Sequence, residues 1–152
     1  MSILRACVLV TCGLAATACG GSSSSSATAP SQTIATDTLT GVVPAAVNGT
    51  PQSASNNFTV GQGGGTVTVT LTSAIETLPG GTQNPSVAMA MGVGTPSGSS
   101  CTLPAGSAPT ILQAGANASL SGTLSAGTYC VLITDVTVQP GPVNYTVVVQ
   151  HP

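Results

Sequence analysis

Apolar and small polar residues alternate with a period of two through most of the chain after residue 37. The clearest run is 65–72, where Val67, Val69 and Leu71 share one face and threonines occupy the other. Side chains in a β-strand point alternately to opposite faces of the sheet. The run therefore predicts a strand with one buried and one solvated face.

Other segments follow the same pattern with different composition. Residues 87–93 place valines and methionines on one face and small residues on the other, whereas 127–133 and 143–149 are rich in the β-branched and aromatic residues of central strands. Weaker candidates are 38–43, 55–60, 110–113 and 117–124. No window of the domain sustains a helical apolar period, so we predict an all-β antiparallel β-sandwich or jelly roll of about eight short strands with essentially no α-helix.

The first eighteen residues have a different pattern, in which Arg5 precedes a short apolar stretch and small residues follow. This layout predicts a signal peptide, residues 1–18. The apolar stretch has about eleven residues, whereas a transmembrane helix needs about 20. The stretch 16–19 resembles the lipobox of bacterial lipoproteins, in which small residues precede a cysteine that receives diacylglycerol before cleavage. The resemblance implies that Cys19 is lipidated and holds the exported chain at a membrane. Ala16 differs from the commoner Leu, so ordinary cleavage that leaves Cys19 unmodified is the alternative.

Residues 19–36 consist largely of Gly, Ser, Thr and Ala, which predicts a flexible tether between the lipidated cysteine and a domain at 37–152. Gly20, rather than an aspartate, directly follows the cysteine. In the lipoprotein family this implies sorting to the outer membrane of cells with two membranes. We therefore expect an exported protein that is lipid-anchored in the cell envelope.

The charge of the chain excludes one class of partner. Arg5 is the only Lys or Arg, and it lies in the segment that export would remove. Nucleic-acid binding depends on Lys and Arg that neutralise phosphates. We therefore expect no nucleic-acid partner, and no basic attraction to lipid headgroups.

The cysteines agree with export. Cys7 and Cys12 would leave with the signal peptide and Cys19 would be lipidated, so Cys101 and Cys130 remain as a pair. An oxidising compartment permits a disulfide, which we predict between them. A redox or metal site is the alternative, but the wide spacing and the lack of a companion Cys or His argue against it.

The segment 38–149 resembles the bacterial pre-peptidase C-terminal domain, a β-sandwich found in exported proteins. The matching parts are 58–60, 65–71, 124–131 and 145–149. The family usually carries an Asp-Leu-Tyr-like strand, for which this chain has 87–91 without acidic residues. The calcium binding of some family members is therefore not expected, and Asp135 is the candidate ligand if calcium binds.

The sequence has few side chains that could act as catalytic acids or bases. His151 is the only histidine and stands next to the C-terminus, where we expect a frayed residue. Glu76 and Asp135 are the only domain carboxylates far enough along the chain to converge, and we expect both in solvated loops or turns. We predict no enzyme activity, no cofactor and no metal.

Three functions remain open. The first is a non-catalytic interaction or structural module of the cell envelope with an unknown protein partner. The second is a glycan-binding module, which would need Tyr129 or Tyr145 exposed on a concave face, although the strand pattern favours core positions for both. The third is a self-assembling surface subunit, because 66–72 and 143–150 lack the charges that block pairing of strand edges.

Overall fold

The computed structural model describes residues 32–152, and all its regular elements are β-strands. The strands in chain order are β1 (Ala35–Val43), β2 (Ser53–Val60), β3 (Gly65–Thr77), β4 (Gln83–Asn84), β5 (Ala88–Ser97), β6 (Ser100–Thr102), β7 (Thr110–Gln113), β8 (Ser119–Leu124), β9 (Gly127–Asp135) and β10 (Val143–His151). The predicted all-β fold is confirmed, and every predicted segment overlaps a strand. The pattern misses β4 and β6, because two or three residues are too few for alternation to show. Within the range 32–152 no helix is long and apolar enough to cross a membrane.

The strands form two antiparallel sheets of five strands each, packed as a sandwich. In sheet 1 the order is β1, β10, β3, and the outer edge of β3 pairs with β4 at one end and β8 at the other. In sheet 2 the order is β2, β9, β5, and the outer edge of β5 pairs with β7 and then β6. The segments 66–72 and 143–150, considered above as assembly edges, lie in the inner strands β3 and β10. Neither one offers a free edge.

The core between the sheets is aliphatic, as the composition requires. Leu71, Met89, Met91 and Ile133 are fully buried, together with valines from both sheets. Burial of one such side chain contributes about 1.5–3 kcal/mol. The alternation of the sequence therefore corresponds to the two faces of each sheet.

β3 changes phase in its middle. Its pairing with β10 skips Thr72, which is an extra residue on the β3 side. A β-bulge of this kind reverses which residues of the strand face the core. Before it Val67 and Leu71 are buried, and after it Ala74 and Glu76 are buried instead. The bulge therefore turns an acidic side chain inward.

The predicted disulfide is present and joins β6 to β9, with the Cα atoms of Cys101 and Cys130 5.8 Å apart. The chain around β6 lies across the outer face of β5, over two glycines. A Cβ at Gly94 would lie 2.2 Å from a main-chain oxygen of β6, and one at Gly92 would lie 2.8 Å from the Leu103 side chain. The small residues of β5 therefore make room for the segment that the disulfide holds.

Candidate functional site

The C-terminal histidine is part of the fold. His151 ends β10, beside the start of β1. Its Nε2 lies 3.0 Å from Asp37 Oδ2, and its ring packs against Phe58 with the centroids 5.9 Å apart. The His151 side chain is buried, whereas that of Asp37 is 44% exposed. The expectation of a frayed histidine is wrong, because pairing with β1 orders β10 to its last residue.

Glu76 lies inside the sandwich at the end of β3. Its Oε1 accepts a hydrogen bond from the Gly141 N–H at 3.2 Å, and its Oε2 accepts one from Asn84 Nδ2 at 3.5 Å. The Gln139 amide, in the orientation that satisfies both its ends, donates to the two Glu76 oxygens at 2.9 and 3.1 Å. This carboxyl group therefore anchors the loop between β9 and β10.

Asp135 holds the other end of the same loop. Its Oδ1 accepts from the Thr137 N–H at 2.9 Å and its Oδ2 from the Gln139 N–H at 2.7 Å. Gln139 thus contacts both acidic side chains. The expectation that Glu76 and Asp135 are solvated is wrong: both are buried, because the loop bonds close over them. The backbone donors that occupy Asp135 also leave it a poor candidate calcium ligand.

These bonds limit the chemistry that the domain offers. A general acid, a general base or a metal ligand needs a polar group directed at a site where substrate or ion can sit. In the described part of the chain, Asp37, Glu76, Asp135 and His151 are each bonded to neighbouring protein groups. Nor do three or more His, Cys, Asp or Glu side chains of residues 32–152 come together as a metal site.

Tyr145 closes one side of the sandwich. Its hydroxyl donates to Asn56 Oδ1 on β2, and Asn56 Nδ2 donates to the Thr40 carbonyl of β1 at 3.3 Å. Burial raises the pKa of the Tyr145 hydroxyl. A Cβ at Gly41 would lie 2.4 Å from the hydroxyl oxygen, so glycine there gives the ring its space. The β1 and β2 edges are thereby joined, and Tyr145 is a core residue, as the strand pattern favoured.

Tyr129 is half-buried. Its ring stacks on Phe58 with the centroids 5.9 Å apart, and its hydroxyl donates to the Ser125 carbonyl at 3.1 Å. Phe58 therefore covers one face of the ring. Neither Tyr145, which is buried, nor Tyr129, which is half-buried beside Phe58, is an exposed ring of the kind that stacks on a sugar.

The opposite side of the sandwich is open. Two adjoining hollows of about 140 and 290 Å³ lie between β8 of sheet 1 and the β5–β6 region of sheet 2, and we call them the lateral cleft. Its apolar lining consists of Val67, Val69, Val93, Leu103, Pro104, Leu120, Leu124 and Tyr129. Val93 and Leu124 line both hollows.

The cleft is open because the outer edge of β5 changes partner there. β7 pairs with β5 as far as Met91, and β6 pairs with it from Thr95. Among the described residues, no strand lies beside 92–94 on that edge, between these two pairings. Val93 is consequently half-buried and faces the cleft.

β8 forms the other wall of the cleft and has one unpaired edge. It pairs with β3 along 65–70, and no second strand of the described chain borders it. Leu120 and Leu124 are half-buried at the cleft, while Ser121 and Thr123 are exposed on the outer face. Sequence reasoning identified 117–124 as a weak strand. It missed the cleft, because the order of strands in a sheet is not written in the alternation of one segment.

Cys19, the signal peptide and the tether as far as residue 31 lie outside the described residues, so lipidation and localisation stay predictions. The end of the predicted tether is described, and its residues 35 and 36 belong to β1. A scan against protein-family models finds no match, and a search of the curated proteins finds no similar sequence. The resemblance to the pre-peptidase C-terminal domain also stays a prediction. The sandwich architecture itself is compatible with many functions.

Proposed function

We propose that this protein is a non-catalytic interaction module of the bacterial cell envelope, lipid-anchored through Cys19, that makes its contacts through the lateral cleft and the adjoining edge of β8. One observation carries the proposal. The acidic side chains and the histidine of the described domain are bonded within the fold, whereas an apolar cleft beside an unpaired strand is left open.

The disulfide supports an extracytoplasmic location. Disulfides persist in oxidising compartments and are rare in the cytosol. Cys130 is fully buried, and its bond to Cys101 holds the segment that covers β5. The bridge thus belongs to the structure of the domain, and a chain that needs it fits export.

The chemistry of the cleft suits a protein contact. Strand addition to an open sheet edge uses main-chain hydrogen bonds for affinity and pockets for alternate side chains for specificity. β8 offers the edge, and the cleft offers apolar space on the face where Leu120 and Leu124 lie. From residue 77 to residue 134 the sequence contains no Asp, Glu, Lys, Arg or His, so the surroundings favour an uncharged partner segment.

The proposal is tested in cells that produce the full chain. A photo-reactive amino acid at Thr123, on the exposed face of β8, is compared with the same residue at Thr38, exposed on β1 at the other edge of sheet 1. We expect ultraviolet light to give specific adducts from Thr123 and none from Thr38. Equal adducts at both positions would contradict a contact surface at β8.

The anchor is tested in the same cells by mass spectrometry of the mature N-terminus and by fractionation. We expect a diacylglyceryl modification on Cys19 and recovery of the protein with the membranes. In the matched Cys19→Ser variant, both should be lost. An unmodified Cys19 in the exported wild-type protein would refute lipid anchoring while leaving the contact surface to the crosslinking test.

A further inference from the structure

We infer that the partner at β8 is a second copy of this chain, and that two β8 strands pair antiparallel about a twofold axis through Gly122. This inference rests on the proposed function, since it names the partner of the same surface. Pairing of this kind joins sheet 1 of the two copies into one continuous sheet and covers both lateral clefts.

The edge of β8 is unprotected. Natural edge strands are usually short, charged, interrupted by proline or bulged, because an open edge templates pairing. β8 has six residues, Ser119–Leu124, with no charge and no proline, and its register with β3 is regular. By contrast β1 carries Asp37, and Asn56 on β2 donates a hydrogen bond to the Thr40 carbonyl of β1.

The sequence of β8 is nearly palindromic about Gly122. In an antiparallel pair centred there, Leu120 faces the partner's Leu124, and Ser121 faces the partner's Thr123. Cross-strand pairs of like apolar residues and of hydroxyl residues are favourable, each by about 0.2–1 kcal/mol. The leucines of both copies lie on the cleft face, so each copy supplies apolar side chains to the opening of the other.

Gly122 is not required by the backbone of a single copy, and it lines the lateral cleft, where the lack of a side chain leaves the hollow open. Its φ is not positive, and a Cβ built on it meets nothing within 4 Å. Glycine in a strand weakens the strand and often marks a close approach of another backbone. At the centre of a β8 pair the two Gly122 residues face each other. A residue without a side chain is compatible with this axis.

Charge also favours a second copy. The stretch from residue 77 to residue 134 has no charged residue and contains β8. It also contains every lining residue of the cleft except Val67 and Val69 of β3. A charged partner strand would bring an unpaired charge beside apolar surface, which is costly. A second copy presents the same neutral surface. One strand pair is a small interface, so the contact should be weak in solution, and confinement on a membrane would raise its occupancy.

The test is oxidative crosslinking of the full chain in cells. Directly opposite residues of an antiparallel pair have Cα atoms about 4.5–5.5 Å apart, within the range for a disulfide. We expect Gly122→Cys to give a disulfide-linked dimer on a non-reducing gel, in at least tenfold excess over Thr123→Cys. A dimer yield from Gly122→Cys no higher than that from Thr123→Cys would overturn the inference.

A second measurement does not depend on the introduced thiol. Two differently tagged copies should co-purify, and Gly122→Lys should reduce their recovery at least tenfold by placing two like charges at the axis. Thr38→Lys, at the opposite edge of sheet 1, should leave recovery unchanged. Unchanged thermal melting would show that Gly122→Lys folds, and retained co-purification by that folded variant would overturn the pairing.

The same gels separate failure of the anchor from failure of the pairing. A disulfide-linked dimer of the wild-type chain through a free Cys19 counts against lipidation. Absence of the wild-type protein from the membrane fraction counts against it as well. A monomeric Gly122→Cys chain that is acylated and membrane-bound counts against the β8 pair alone.

Discussion

Removal of the disulfide is the perturbation whose size follows most directly from the structure. Cys101 and Cys130 are 29 residues apart in sequence, and the loop that they close contains β7 and β8. On the chain-entropy estimate, a loop of this length stabilises the folded state by about 3–4 kcal/mol through restriction of the unfolded chain. Domains of this size are stable by only about 5–15 kcal/mol in total.

Removal of the disulfide should also destabilise some strands more than others. Without the bridge, the segment that crosses sheet 2 keeps the short pairing of β6 with β5 and the packing of Leu103 over Gly92 but loses its covalent link to β9. The lateral cleft has Leu103 in its lining, so its wall should loosen before the core between the sheets. Amide exchange should therefore accelerate first in β6, β7 and β8.

The assay is urea unfolding of the double variant Cys101→Ala/Cys130→Ala, followed by far-ultraviolet circular dichroism. With an m-value of about 1–3 kcal/mol/M, the midpoint should fall by about 1–4 M urea. The wild-type protein with a reductant is the matched control and should show the same midpoint as the variant. A loss below about 1 kcal/mol would refute the reasoning, because it would mean that the bridge does not restrict the unfolded chain as calculated.

Two further predictions concern single residues. A Cβ at Gly141 would lie 1.9 Å from a main-chain oxygen of β3, so Gly141→Ala should lower the free energy of unfolding by about 1–3 kcal/mol. Gly122→Ala is the control and should leave that free energy nearly unchanged, because a Cβ there meets nothing within 4 Å. Chemical denaturation compares the two variants, and equal effects would contradict the clash at Gly141. Since burial raises the pKa of Tyr145 above that in the unfolded chain, its contribution to stability is complete below about pH 10 and is lost as the pH rises through the folded-state pKa. Tyr145→Phe should lower the free energy of unfolding by about 1 kcal/mol at neutral pH, because the hydrogen bond to Asn56 is lost. The variant should also show a smaller fall in melting temperature at alkaline pH than the wild-type protein. Parallel plots of melting temperature against pH for the two proteins would contradict this prediction.

The strand pattern predicted the fold because burial of one face is the main requirement on each strand. Val67, Val69 and Leu71 face the core as their spacing indicates. The same rule failed at Glu76, since the bulge at Thr72 reverses the two faces for the rest of β3. A bulge depends on the pairing with β10, which cannot be read from β3 alone.

His151 shows a second limit of sequence reasoning. Closeness to a chain end indicated disorder, but strand pairing decides order, and β1 pairs with β10 up to its last residue. The Cys101–Cys130 bridge was predictable because export and the number of remaining cysteines left one pairing. The lateral cleft was not, because it arises where β7 and β6 meet β5 at separate positions.

The placement of charge bears on how an exposed edge can persist in this protein. Asp37, Glu76 and Asp135 are bonded to β10 and to the loop after β9, so no acidic side chain of the described domain lies on β8 to prevent edge pairing. An edge without charge, proline or bulge pairs with whatever strand reaches it. A Cβ at Gly122 would meet no atom of the described domain within 4 Å, so the fold of the single domain does not require glycine there. The glycine at the centre of this uncharged edge is therefore consistent with the β8 pairing inferred above.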